Sequence, residues 1–186
     1  MSYSVPIRVP AGFAAVTPSL SLSYNSGGGN GLVGMGWMLD TPMIERMTYR
    51  GLPEYDTDDD FAADGSSQLV KLPGAEPLQY RARYEGDFVL YTWMSSGDGS
   101  QGYWVAEYPD GSKGYFGATA DGTLVESARV SGDAGTFRYM LVEKVDVYGH
   151  KMTMTYLKDG FISLPSRCAY VFTDENNPTY EVAFEY

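Results

Sequence analysis

Five carboxylates crowd one short stretch: Asp56, Asp58, Asp59, Asp60 and Asp64. Calcium takes several oxygens from a single loop, and Asp56, Asp58 and Asp60 alternate as such a loop requires. Gly65 does not stand where an EF-hand turn needs its glycine, and no glutamate closes the loop at the right distance. The stretch therefore reads as a solvated acidic loop, with calcium at Asp56, Asp58 and Asp60 as the alternative. His150 is the only histidine and Cys168 the only cysteine. Any Ser-His-Asp triad or Cys-His pair must use His150, yet it lies in a turn between Gly149 and Lys151, where solvation or capping is its ordinary role. Cys168 opens the apolar run Cys168-Ala169-Tyr170-Val171-Phe172 and reads as a buried structural thiol. Two such residues do not make a zinc site. Carboxylate pairs of glycosidase type are available in any acidic chain, and Trp93 and Trp104 sit in alternating patterns that place them in a core rather than on a sugar. Gly27-Gly28-Gly29-Asn30-Gly31 looks like a phosphate loop but lacks the Lys-Ser/Thr ending and a following helix. No catalytic residue, cofactor or metal is expected.

The elements that would position these residues are strands. Val5 to Val9 and Ser19 to Tyr24 alternate apolar and polar residues, the mark of half-buried strands. Gly34-Met35-Gly36-Trp37 follows the first glycine run, and these glycines serve positive φ or close backbone approach. Ile44 to Tyr49 forms the next strand, and Asp56 to Ser67 a loop that is a possible sub-boundary. From Leu69 the chain reads as successive hairpins. Phe88 to Met94 ends at a Ser95–Ser100 turn. Tyr103 to Tyr108 and Lys113 to Phe116 flank Pro109-Asp110-Gly111-Ser112, where Pro presets φ and Gly takes the left-handed position. Thr123 to Ser127 is a further short strand. Phe137 to Val147 and Lys151 to Leu157 flank Tyr148-Gly149-His150. Arg167 to Thr173 and Thr179 to Tyr186 pair across residues 174–178. The expected core is Leu20, Leu22, Tyr24, Trp37, Val89, Tyr91, Trp93, Trp104, Phe116, Met152, Met154, Tyr156 and Phe172.

Composition agrees with this. The 186 residues include 16 Tyr, 8 Phe, 3 Trp and 22 Gly, and 44% are apolar against 20% charged. That mixture favours strands and tight turns over long helices. A net charge of −11 repels phosphate backbones and anionic bilayers, so nucleic acid and membrane surfaces are poor partners. With one cysteine there is no intramolecular disulfide, and stability must come from packing. No apolar run reaches membrane-spanning length. Met1 to Arg8 shows no charged leader before an apolar core, so no secretory signal peptide is read there and any export must use another route. The last run reaches Glu185-Tyr186 as strand, and the expectation is a fragment of a longer chain.

The segment from Val5-Pro6-Ile7-Arg8 through Pro18, Leu20, Leu22, Tyr24, Asn25, Gly27, Gly31, Gly34, Gly36 and Trp37 resembles the opening of the SpvB/TcdB family, which includes the B components of bacterial toxin complexes. Ile44-Glu45-Arg46, Gly51-Leu52-Pro53-Glu54-Tyr55-Asp56, Tyr108-Pro109-Asp110-Gly111-Ser112 and Tyr115-Phe116-Gly117 continue the likeness. Asp146-Val147-Tyr148-Gly149-His150, with Tyr156 closing its strand, is similar to the tyrosine–aspartate repeats of Rhs proteins. The resemblance covers most of residues 3–160. It implies one all-β N-terminal domain over 1–186: antiparallel, hairpin-rich sheets within a larger curling β-shell that encloses a toxic polypeptide. The implied partners are the remainder of its own chain and the C and A components of the toxin complex. In one member a similar region precedes an ADP-ribosyltransferase domain. The Ser-Thr-Ser strand and paired-glutamate loop of that enzyme are missing here, so no activity is carried over. The competing reading is a carbohydrate- or surface-binding β module of a secreted virulence protein.

Overall fold

The computed structural model describes residues 1–56, 58–95, 101–174 and 177–186. The expected turn at residues 96–100, Thr57 of the acidic loop and residues 175–176 of the last connection lie outside the described residues. The strands, in chain order, are β1 (Ser2–Ile7), β2 (Leu20–Asn25), β3 (Asn30–Gly31), β4 (Gly34–Met35), β5 (Trp37–Asp40), β6 (Met43–Arg46), β7 (Phe61–Ala63), β8 (Ser67–Lys71) and β9 (Gln79–Ala82). They continue with β10 (Leu90–Ser95), β11 (Gly102–Glu107), β12 (Lys113–Phe116), β13 (Arg129–Gly132), β14 (Gly135–Val145), β15 (Lys151–Asp159), β16 (Ile162–Asp174) and β17 (Asn177–Ala183). Two 3-10 turns, Ala14–Val16 and Glu126–Ala128, are the only helical pieces among the described residues. The protein is all-β and antiparallel throughout.

Short connections make β6 to β12 a meander in which each strand pairs with the next. β14 then closes it. Residues 138–140 of β14 pair with β6, and residues 141–145 pair with β12 across a bulge. The backbone gives the two edges separately: Leu141 N donates to Pro42 O, while Met140 O accepts from Gly117 N. The path β6 to β12 and β14 is thus a ring with no free edge. β13 forms a hairpin with the first half of β14, and β15, β16 and β17 continue from its second half as an open sheet.

Aromatic rings fill the barrel. Trp104 is buried with Phe61, Tyr80 and Trp93 edge-on around it at ring centroid distances of 4.9, 5.0 and 5.2 Å. Ile44, Phe116, Tyr139 and Leu141 complete the wall. Edge-to-face rings add to plain burial in a core of this kind. A small sheet, β1-β2-β5, stands before the barrel. The segment between β1 and β2 straps it to β16: the Tyr170 hydroxyl donates to Pro10 O at 2.8 Å, and Val16, Pro18 and Leu20 are buried.

Several expectations change. Leu22, Tyr24, Trp37 and Phe172 are half-buried, because a single-layer sheet and an open sheet margin each leave one side wet. Tyr91 and Trp93 are likewise half-buried, packed against the core from its margin. Asp56 to Ser67 is not all loop: Phe61, Ala62 and Ala63 form a buried strand between β6 and β8. Thr123 to Ser127 is no strand; Leu124 makes one isolated bridge to Ala118 before the 3-10 turn. β9 and β13 were not expected. The last strand ends at Ala183, with Phe184 N still donating to Ser166 O.

Removing the side chain of Ile44 leaves a cavity beside Tyr139, and Ile44→Ala is expected to cost about 2–5 kcal/mol in urea unfolding. Burial also pushes the Cys168 thiol from 9.0 up to about 12 and the Tyr91 hydroxyl up to about 12. Both groups stay protonated longer in the fold than in the unfolded chain, so their contribution is complete below about pH 9 and is lost as pH rises toward 12. The urea midpoint is expected to fall steadily over that window; a flat profile there contradicts the burial of these groups.

Candidate functional site

The glycine-rich motif is built by close backbone approach. A Cβ at Gly31 would lie 1.8 Å from Trp37 O, and one at Gly36, with φ at +75°, would meet Asn25 O at 2.8 Å. Neither position admits another residue without moving backbone. Asn25 organises the turn: its side chain accepts from Gly27 N at 2.9 Å and its N–H donates to Gly36 O at 2.8 Å. The exposed tip of β3 and β4, with Gly34 at its turn, carries Leu32, Val33 and Met35 into solvent. Across the sheet, Asp40 accepts from the Ser21 and Ser23 hydroxyls at 2.6 Å each. The motif is a structural clasp, and no phosphate-loop geometry is present in it.

The acidic cluster does not converge. Asp59 accepts from Glu54 N and Tyr55 N and pairs with the buried guanidinium of Arg46. Asp56 Oδ1 accepts from Asp58 N at 2.8 Å, while Asp60 takes the Tyr49 hydroxyl and pairs with Arg50. Asp64 sits apart and accepts from Met43 N; burial pushes its carboxyl above the usual range. Among the described residues no three His, Cys, Asp or Glu side chains form a metal-ligating group. The cluster's visible work is to hold an arginine.

Arg46 stands two residues after Ile44 on the inward face of β6, opposite Phe61. Its guanidinium lies 4.8 Å from the Phe61 ring centroid and 5.3 Å from that of Tyr55, and Nε donates to Thr136 O at 3.0 Å. A second buried arginine meets the same threonine: Arg129 Nη2 donates to Thr136 Oγ1 at 2.8 Å. Arg129 is opposite Tyr139, with its guanidinium 5.8 Å from that ring. The two cations flank a cavity of about 510 Å³ at one end of the barrel. Its wall includes Tyr80, Trp93, Trp104 and Tyr139, and Asp56, Glu126 and Asp133 stand at its exposed margin. Sequence reasoning missed this site. The period-two alternation of Ile44 and Arg46 carries it, since a charge in phase with a core residue must be paired inside.

The two hairpin motifs are capped turns. Asp110 Oδ1 accepts from the Ser112 hydroxyl and N–H at 2.6 and 2.9 Å, which hold its carboxyl below the usual range, with Gly111 next to it in the left-handed region. Asp146 accepts from Tyr148 N, His150 N and the His150 ring, at 2.9, 2.9 and 2.8 Å. Burial opposes it, but these bonds hold the Asp146 carboxyl below its usual range. Phe13 stacks on His150 at 3.5 Å. Tyr148 and Gly149 are exposed. Cys168 is buried, and the His150 ring is engaged by Asp146 and Phe13 rather than by Cys168.

The family model described as Salmonella virulence plasmid 65kDa B protein matches residues 1–175. A curated relative, the mono(ADP-ribosyl)transferase SpvB of Salmonella typhimurium, is 29% identical over 83% of this chain. The chain spans 29% of that relative's length. Among solved structures, the N-terminal domain of effector protein SpvB from Salmonella typhimurium strain LT2 superposes with a TM-score of 0.77 at 22% identity, covering 95% of this chain and 66% of that one. The TcdB2-TccC3 crystal structure gives 0.82 at 21% identity, over 100% of this chain and 11% of that one. The Photorhabdus luminescens Tc holotoxin pore gives 0.77 at 24% identity, over 91% of this chain and 9% of that one.

The role of Asp59 is directly testable. Asp59→Asn leaves Arg46 buried without a counter-charge and is expected to cost about 3–5 kcal/mol in chemical denaturation. Asp58→Asn, on an exposed side chain, is expected to change stability by less than about 0.5 kcal/mol. Millimolar calcium is expected to leave the Tm of the unsubstituted chain unchanged; a calcium-dependent rise there that is lost in Asp58→Asn would assign the loop to the metal instead.

Proposed function

The chain belongs to the SpvB family, and from that premise we propose that it is a structural, non-catalytic segment of a toxin B component, part of a β-sheet shell that encloses a toxic polypeptide and helps deliver it. The observation that carries this reading is the whole-chain fold likeness to the TcdB2-TccC3 structure. The arrangement of strands supports it. A ring without edges is a rigid unit, and the sheet β15-β16-β17 runs on from it with β17 at its margin. The β15–β16 hairpin carries Leu157, Phe161 and Ile162 exposed at its end. Such a margin and hairpin suit pairing and packing with the remainder of the same polypeptide and with C and A components.

In this reading the mechanism is exclusion. Closed pairing and a filled interior leave no backbone for a protease or chaperone to grip, so an unfolded cargo behind the wall is shielded. The Asp146–His150 turn serves as one unit of an Rhs-type wall, capped by its own aspartate. In this reading the wall does not itself insert into a membrane, and the net charge of −11, which an anionic bilayer surface repels, supports that. Assembly in the producing cell and delivery outside it follow from the same proposal.

A second reading rests on the exposed rings of Tyr84, Tyr148 and Phe161: a module that binds carbohydrate or a cell surface. One experiment separates the two. The polypeptide that carries this chain is co-expressed with its C component, with and without residues 1–186, and cargo cleavage by added protease is followed. Loss of protection on deletion, with the rest still folded, is the expected result. Unchanged protection removes the shell role and moves the surface-binding module to first place.

A further inference from the structure

The barrel-end cavity carries a chemical mismatch that the shell role does not use. Two N–H groups are buried with no hydrogen-bond partner among the described residues, Arg129 Nε and Trp104 Nε1, and both belong to side chains that line this cavity. Buried donors are nearly always paired, so an orphan pair on one cavity marks a place for an acceptor. The charges are uneven in the same sense. Arg46 has a buried carboxylate, Asp59, beside it. Arg129 is 2% exposed, and the only carboxylate it meets among the described residues, Glu126 at 3.0 Å, is 71% exposed. Its other partners, Gln101 Oε1 at 2.7 Å and Thr136 Oγ1 at 2.8 Å, are neutral. A second cation shares Thr136 with it through Arg46.

The rest of the cavity narrows the ligand. Of the aromatic side chains that line it, Trp93 is part-exposed and presents a face that suits a ring, with Tyr80, Trp104 and Tyr139 packed behind it. The margin is acidic, with Asp56, Glu126 and Asp133 exposed, and it opposes a ligand of net negative charge while welcoming an amine. A volume of about 510 Å³ falls within the range of small-molecule pockets. We propose that this cavity binds a small aromatic zwitterion, its carboxylate toward Arg129 and Trp104, its ring among the aromatic side chains, and its ammonium at the acidic margin. Charge-assisted hydrogen bonds to a buried guanidinium supply the strongest contact, and the acidic margin selects against simple anions.

The probe is 4-(aminomethyl)benzoate, which holds a carboxylate and an ammonium at opposite ends of one ring, titrated into the full chain by calorimetry and ligand-observed NMR. Benzoate and benzylamine are the one-ended controls. The expected dissociation constant for the zwitterion is below about 1 mM, with each control weaker by about tenfold or more. Arg129→Met is expected to weaken the zwitterion by about tenfold or more. Glu126→Gln, on an exposed side chain, removes the carboxylate that competes for Arg129 and is expected to tighten benzoate. Absence of zwitterion binding at millimolar concentration, or equal affinity in Arg129→Met, overturns the proposal. Should Arg129→Met fail to fold, Glu126→Gln decides: tighter benzoate supports the site, and unchanged benzoate overturns it.

Discussion

Strand β14 must satisfy hydrogen-bonding groups on both of its edges, and it does so with four different partners. Its first half lies between β13 and β6, its second between β12 and β15. Because β6 and β12 are the two ends of one meander, this shared partner turns an open sheet into a ring. An open meander of such short strands would present two edges and an apolar face to water. The bulge at Tyr115 and Phe116 lets β12 follow the bend of β14, and Phe116 and Leu141 pair directly beyond it. The barrel therefore depends on one strand, and on Tyr139 and Leu141, which that strand sends inward.

Closure also explains the arginines. A ring of short strands encloses a space that side chains must fill to its ends. Midway, Trp104 and its neighbours do so. Toward one end the inward positions fall to Arg46 and Arg129, whose flat guanidinium groups lie against Phe61, Tyr55 and Tyr139. A buried guanidinium demands an acceptor for each N–H. Arg46 obtains them from the acidic loop and from Thr136 O. Within the run 56–60, Asp59 gives its carboxylate and Asp56 its backbone carbonyl to Arg46, so part of this acidic loop serves the barrel end. Arg129 makes as many hydrogen bonds, to Gln101, Glu126 and Thr136, but its Nε has no partner among the described residues and Glu126 is exposed, and that difference underlies the proposed binding site.

Much of this was legible from residue order alone. Alternation at Ser19 to Tyr24 and at Met152, Met154 and Tyr156, and the turns at Asp110-Gly111 and Tyr148-Gly149, gave strands and hairpins that the structure contains. Local signals succeed there because a two-residue period and a capped turn are set by neighbours in sequence. Phe61-Ala62-Ala63 failed as a strand signal because three residues carry no period and stand beside five carboxylates. Its burial follows from partners in β6 and β8. β13 is hidden for the same reason, since Arg129 and Ser131 look like surface until Tyr139 and Thr136 face them. The cavity could not be read at all. Its residues run from Arg46 to Tyr139, and only closure brings them together.

The two halves of the sheet consequently answer to different constraints. Within the ring every edge is consumed, and the interior tolerates little change. Beyond it, β15 to β17 have one free side and exposed apolar residues, so their stability rises with whatever pairs next to them. The ring fixes the direction in which β15 leaves β14, and β16 and β17 inherit that direction strand by strand. By tying Pro10 to Tyr170 and stacking Phe13 on His150, the N-terminal strap holds this open sheet to the segment that precedes the ring.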